Sequence, residues 1–331
     1  MAVDLARKSD WWEWKFSRLL GGAYATACLV NLPPFRLLQV CVFLVLVLAI
    51  GAIYTSILNE YTDLEDDARC GKPNGLQDRS WLFRNGVLAL TWIIGLLVMW
   101  SLRGQPLFLL LYCCAWGTFS VYSARPFRLK SRGFWGALAD AVGSELLPIL
   151  MTVVAVAGAA GRFPDGLWVA CLSVWSLLWG LRGIAGHQFQ DVQNDRISGL
   201  RTWVVTGGPE KVKVIIERFC FPLEISTFLY VIFLNHSGLA WPFLLAYGLV
   251  EWLRHSAHHH LAIVVPGNNR SPLIFQDFYL CFFPLLFLCA LAAQFPSGWL
   301  LLALHIASFP AGPRRVLGDF RHGLRRALSF A

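Results

Sequence analysis

"RLLQVCVFLVLVLAIGAIYTSILNEYTDLEDDARCGKPN", residues 36–74, decides the fold. Residues 36–58 carry a single charge, Arg36, over a length that crosses a bilayer core as a helix of about 20 residues. Glu60, Asp63, Glu65, Asp66 and Asp67 follow at once, and charge at a bilayer boundary is costly enough to mark a functional site by default. Asn59, Asp63 and Asp67 stand at i, i+4 and i+8, which puts them on one helix face, each about 6 Å above the last. Oxygen donors so spaced suit a hard divalent cation, and Mg²⁺ takes a few carboxylates, several waters and a substrate phosphate. On that same helix Glu65 and Asp66 point elsewhere and read as loop charges, while Glu60 fits either role.

The whole chain repeats this apolar character. Its 331 residues are 56% hydrophobic and 15% charged, with 15 Trp and 24 Phe, the composition of an all-α polytopic membrane protein. Membrane segments are expected at 17–31, 36–60, 83–101, 105–122, 134–160, 166–190, 211–234, 238–262 and 274–293. Residues 1–16 lack the continuous apolar core of a signal peptide and read as an interfacial segment, with Trp11, Trp12 and Trp14 at headgroup level. The net charge of +8 gathers in loops between spans, as membrane orientation requires, and so does not point to nucleic acid. Arg69, Lys72, Arg79 and Arg84, then Arg125, Arg128, Lys130 and Arg132, then Arg196, Arg201, Lys211 and Lys213, then Arg254 and Arg270 place the N-terminus and these loops on the cytoplasmic face. Residues 310–331 form a basic tail that belongs on the same side. A tenth, short crossing at 297–309 would bring it there, and a re-entrant stretch is the alternative, so the transmembrane domain runs over 17–309. The nine cysteines include no CxxC and read as small buried hydrophobes rather than a disulfide framework or zinc site.

A second acidic cluster, "HQFQDVQNDRISGLRT" (187–202), sets Asp191 and Asp195 four apart at the end of another span. Four crossings separate the two clusters, so both emerge on one face, where each could hold Mg²⁺ and together clamp one diphosphate. "YSARPFRLKSRG" (122–133) adds four cations on that face, of which Arg128 and Lys130 could neutralise phosphate oxygens.

These three stretches together resemble the UbiA-type intramembrane prenyltransferases. The first motif stands as Asn59-Glu60-x-x-Asp63-x-x-x-Asp67 followed by GKPN, and the second as Asp191-x-x-x-Asp195 with Gly199 and Thr202. The loop pattern stands as Tyr122, Ser123, Pro126, Arg128, Leu129, Lys130, Arg132 and Gly133. Glu60 replaces the usual Asp, Arg125 the first Pro of the loop, and His187-Gln188 a Lys-Asp step found in some members with aromatic substrates. The resemblance implies a helix bundle around a central cavity open to the cytoplasmic face and to lipid. An isoprenoid diphosphate would set its head between two Mg²⁺ ions, one on Asn59, Asp63 and Asp67, the other on Asp191 and Asp195. Asp63 and Asp191 carry the catalysis in that reading. Arg128 and Lys130, then Lys72 and Arg69, contact the diphosphate, and Lys15 either reaches the head group or snorkels. Diphosphate leaves an allylic carbocation, which an unidentified acceptor attacks at C1. A terpene cyclase and a phosphoribosyl transferase acting on a polyprenyl phosphate share the family. A transporter or lipid-binding protein is the non-enzymatic alternative.

Four further polar residues lie within spans. Arg182 needs an anionic partner at its depth, and Asp140 or Glu145 is expected to supply it. Asp140, Glu145 and His187 could otherwise bind an acceptor or relay a proton. His255, His258, His259 and His260 read as an interface cluster rather than a metal site.

Overall fold

A computed structural model describes residues 5–234, 238–258, 263–265 and 273–329. Within these the chain is all-α: α1 (8–30), α2 (Pro34–Thr62), α3 (Leu64–Cys70), α4 (Trp81–Gly104), α5 (Pro106–Ser123), α6 (Phe134–Ala160) and α7 (Gly166–Gln190) come first. Then follow α8 (Val192–Ser198), α9 (Trp203–Gly207), α10 (209–234), α11 (Ala240–His258), α12 (Phe278–Gln294), α13 (Gly298–Ser308) and α14 (Ala311–Ser329). Each expected membrane segment coincides with a helix over its described residues. Helices α2, α4, α5, α6 and α7 are long and apolar enough to cross a bilayer on length and composition alone. Helix α4 shows why water is the wrong solvent: Leu90, Ile93, Leu96, Leu97 and Trp100 are all exposed on it. An outward face this apolar is stable against lipid.

The interior is aromatic. Trp175 on α7 packs on Phe228 of α10 (centroids 5.1 Å apart), Tyr279 (5.2 Å) and Phe283 (5.3 Å) of α12. Trp168 donates its indole N–H to the Val231 carbonyl at 3.3 Å. This packing brings α10 against α7, and it decides the partner of Arg182. Arg182 is paired with Glu224 of α10, not with Asp140 or Glu145: Nε–Oε2 is 2.9 Å and Nη2–Oε1 2.6 Å, with both residues fully buried. Tyr279 donates to the same carboxylate at 2.8 Å, and the carbonyls of Val264 and Ile274 accept from Nη1. Glu145 pairs instead with Arg18 of α1. The spacing of charges along one chain does not reveal which spans are neighbours, and here α10 rather than α6 faces Arg182.

Helix α1 runs unbroken through the expected boundary at residue 16, widened by one π-turn at Trp12–Phe16. Similar turns lie at Val142–Leu146, Ile216–Cys220 and Phe278–Phe282. Such turns re-aim side chains locally, and those at Lys15, at Ser144 and Glu145, and at Leu280 border the main cavity. Helix α13 begins against Ala292, where a Cβ on Gly298 would meet backbone at 2.6 Å. It ends where Trp12 donates to the Ser308 carbonyl (2.9 Å) and stacks on Phe309 (5.4 Å). It thus returns the chain to the end of the bundle where α1 begins, over a helix of 11 residues, about 16 Å and so well short of a full bilayer core. Helix α14 then packs on α11, where Arg254, expected as a loop charge, is buried between Glu251, Asp277 and Asp319 (2.6, 2.6 and 2.5 Å). Arg270, His259, His260 and the His258 side chain lie outside the described residues.

Removing one partner of a buried ion pair strands the other charge and costs about 3–5 kcal/mol. Glu224→Gln is therefore expected to lower the thermal midpoint of the detergent-purified protein sharply. The double variant Arg182→Met/Glu224→Met should recover most of that loss.

Candidate active site

The two acidic motifs are structural twins. Helix α2 stops at Asp63 (φ −102°, ψ 2°) and α7 at Asp191 (φ −97°, ψ 6°). Each Asp donates its N–H to the residue four before it, Asn59 or His187, at 3.0 Å. A helix of 7 residues follows in both cases, closed by a left-handed glycine, Gly71 (φ 65°) or Gly199 (φ 76°). Beyond the glycine, Lys72 N–H reaches the Asp67 carbonyl and Leu200 N–H the Asp195 carbonyl, at 2.9 and 2.8 Å, the Schellman closure that glycine at this position permits. Even the supporting bonds correspond. Asn74 donates to Asp67 Oδ2 at 2.8 Å, and Thr202 to Asp195 Oδ2 at 3.0 Å. Glu60 accepts from Gly75 N–H (2.6 Å), and Gln188 from Val204 N–H (3.2 Å). The signal was in the chain: NEYTDLEDDARCG and HQFQDVQNDRISG align without a gap. That alignment makes His187 the counterpart of Asn59 and marks Asn74 and Thr202 as supports.

Asp66 departs from its reading as a loop charge: three residues after Asp63, it stays on the motif's side of a helix, and it is buried in the site and paired with Arg128. Glu65 is exposed, as expected of a loop charge.

Cations from two loops meet these carboxylates. Lys130, 8% exposed, pairs with Asp63, and Arg128 reaches both Asp66 and Asp63, the latter at 3.4 Å. Lys72, carried by the first motif, pairs with Asp191 of the second at 3.2 Å. Cys70 Sγ meets the Asn194 carbonyl at 3.4 Å, so α3 and α8 touch directly. The basic loop is pinned by Gly133, whose N–H donates to the Arg201 carbonyl at 2.8 Å. Gly133 has φ 58° and ψ −130°, backbone essentially reserved for glycine, and a Cβ there would lie 2.9 Å from Thr206 Oγ1.

A pocket of about 200 Å³ results, lined by Asp63, Asp66, Asp67, Asp191, Asp195, Lys72 and Lys130. Burial pushes the Asp67 carboxyl above its usual range against the opposing Asn74 hydrogen bond, and nearby Asp63 adds to the rise. Burial raises Asp195 likewise, with Thr202 opposing and Asp191 adding. Burial lowers the Lys130 ammonium, which Asp63 partly offsets. His187, Ile184 and Asp191 also line a second cavity of about 740 Å³ that runs into the bundle. Asn59, held by Ser123, stands in the wall of this larger cavity, together with Lys15. Asp140 lines it as well, within electrostatic reach of Lys15 and His187. Arg69 is exposed and lines neither cavity. Among the described residues no three His, Cys, Asp or Glu side chains converge on one point, so no all-protein metal cage exists there. Carboxylates divided between two walls match a cation that completes its shell with water and phosphate, the preference of Mg²⁺ rather than of Zn²⁺.

The model of the UbiA prenyltransferase family matches residues 19–269. Two solved structures share the fold: a UbiA homologue from Archaeoglobus fulgidus bound to GPP and Mg²⁺, at TM-score 0.53 and 18% identity, covering 87% of this chain and 96% of that one; and a UbiA homologue from the same organism bound to DMAPP and Mg²⁺, at TM-score 0.54 and 17% identity, covering 93% and 98%. No curated protein sequence matches the chain.

The pinning of the basic loop is open to a direct check. Gly133→Ala should cost about 1–3 kcal/mol and speed tryptic cleavage after Arg128, Lys130 and Arg132. Gly71→Ala, which meets open space, should leave cleavage in that loop unchanged.

Proposed function

The chain belongs to the UbiA prenyltransferase family, and from that premise we propose that it transfers a prenyl group from an isoprenoid diphosphate to an acceptor within the membrane, with Mg²⁺ as cofactor. The observation that carries this reading is the twin aspartate motif, closed over a cation-lined pocket that opens into a larger cavity. Asp63 and Asp67, with Asn59 at the cavity junction, would hold one Mg²⁺, and Asp191 with Asp195 the other. The bound metal supplies electrostatic stabilisation of the departing diphosphate.

The chain's own residues do the rest. Asn74 and Thr202 orient Asp67 and Asp195, as supporting hydrogen bonds orient metal ligands generally. Lys130 and Arg128 sit on the carboxylates they neutralise, and in the complex their charges turn to phosphate oxygens, as Lys72 does from the other side. Tyr54, Trp116 and Trp179 present rings to the cavity, where they exclude water and face an allylic cation. The C1–oxygen bond breaks with its electron pair leaving on diphosphate, and the acceptor's nucleophile bonds to C1 and loses its proton.

Transfer is favoured over cyclisation by the wall that α1, α6 and α7 present. Lys15, Asp140, His187 and Gln190 line it, and polar groups there suit a bound acceptor but would intercept a cation that must react only with itself. The Lys and Arg excess in the loops supports a cytoplasmic position for the motif end, the N-terminus and the basic tail.

Purified protein in nanodiscs should release diphosphate from prenyl diphosphates when Mg²⁺ and a lipid extract are supplied, and not after chelation. Asp63→Asn and Asp191→Asn should each lower the rate by at least about 100-fold; full turnover in both would end the two-metal reading. The rate should also fall on acidification. Because burial raises Asp67 and Asp195 before metal binds and both must be ionised to hold it, the Mg²⁺ concentration needed for half-maximal rate should climb as the pH falls, beginning above the range of a free carboxylate.

A further inference from the structure

The larger cavity has a measurable depth and a closed end. On α2 its lining runs from Asn59 to Leu48, on α6 from Asp140 to Met151, and on α7 from Asp191 to Trp179. At 1.5 Å per residue, three helices independently give a depth of about 16–18 Å. One turn further in, α2, α5 and α7 seal the cavity. Leu44 on α2, Phe108 on α5 and Trp175 on α7 are fully buried and none lines the cavity. Phe108 is packed on Phe43 (5.2 Å), and Trp175 is enclosed by Phe228, Tyr279 and Phe283.

The side wall near this floor is rigid. Trp116 of α5 stacks on Tyr54 of α2 (3.9 Å, 8° between planes) and meets Trp92 of α4 edge-on (5.6 Å). Its ring lodges over Gly95, where a Cβ would lie 2.1 Å away, so the indole has no room to swing aside. Tyr112, one turn deeper, is 1% exposed and closes the cavity beside Trp116 (5.9 Å).

Resting on the transfer reading above, we propose that this cavity measures the donor's tail, and that Tyr112 and Trp116 limit it to about three isoprene units of about 5 Å each, a farnesyl-length chain of about 15 carbons. A geranyl tail leaves the floor unfilled and gives up apolar contact. A geranylgeranyl tail is one unit too long for the closed depth and must displace packed aromatic side chains, which interiors resist.

The test uses the whole protein in nanodiscs with Mg²⁺ and the non-ionising thiolo analogues of dimethylallyl, geranyl, farnesyl and geranylgeranyl diphosphate, with Kd measured for each. Affinity should rise up to farnesyl and drop at least about tenfold at geranylgeranyl, a loss of about 1.4 kcal/mol. Tyr112→Ala should narrow the farnesyl-to-geranylgeranyl ratio to about threefold or less. Leu48→Phe, which fills rather than empties the cavity, should move the optimum down to geranyl. Equal affinity for farnesyl and geranylgeranyl in the unaltered protein would overturn the length limit, because the tail would then leave the bundle sideways, while the transfer reading would stand. Failure of every analogue to bind would instead overturn the transfer reading itself.

Discussion

Asp63, Asp67, Asp191 and Asp195, held at the ends of two membrane helices, repel one another, and the architecture around them answers that repulsion. Two carboxylates at about 4 Å in a medium of effective dielectric near 20 oppose each other by about 4 kcal/mol. Lys130 and Arg128 reach Asp63 from the basic loop, and Lys72 crosses from one motif to the other. Because the compensating charges come from different parts of the chain, the loop must be fixed in place. Gly133 fixes it through the Arg201 carbonyl, beside the second motif. The acidic helix ends, the basic loop and the segment after α8 therefore form one electrostatic unit.

Deeper in the bundle the same physics acts without solvent. Arg182 with Glu224, and Arg18 with Glu145, are complete pairs whose two guanidinium groups both lie over the Trp179 ring, at 4.8 and 5.1 Å. Isolated charges at this depth would be prohibitive; paired, they hold Trp179 where it forms the inner limit of the cavity. Stability and cavity shape are consequently linked through one indole. The cavity has Tyr54, Tyr112, Trp116 and Phe119 on α2 and α5 and Lys15, Asp140, His187 and Gln190 on α1, α6 and α7, a division that the proposed transfer would use.

Much of this was legible in the chain. Long apolar runs announce membrane helices because lipid demands internally satisfied backbone, and among the described residues every expected segment falls on a helix. The acidic and basic stretches were found because charge beside such runs is rare. What stayed hidden follows from tertiary placement. The Arg182 partner depends on α10 lying beside α7, which no spacing encodes. Asp66 lies three residues after Asp63 and so near it on a helix, but its role depends on Arg128 of a distant loop lying beside it. The supporting roles of Asn74 and Thr202 were accessible, since the two motifs align residue for residue, but only the shared fold shows that the alignment has structural meaning. Arg69 shows the opposite case, where a cation next to the motif lies on the outer side of α3 and is exposed.

The central claim is that the twin motifs act together on one diphosphate. A double-mutant cycle tests it most directly: the Kd of farnesyl thiolodiphosphate in Mg²⁺ for the unaltered protein, Asp67→Asn, Asp195→Asn and the double variant. If both motifs grip the same head group, each single change should weaken binding at least about tenfold, and the double variant should bind no better than either. An unchanged Kd in Asp67→Asn or in Asp195→Asn would mean that this motif does not hold the head group, and would contradict the account.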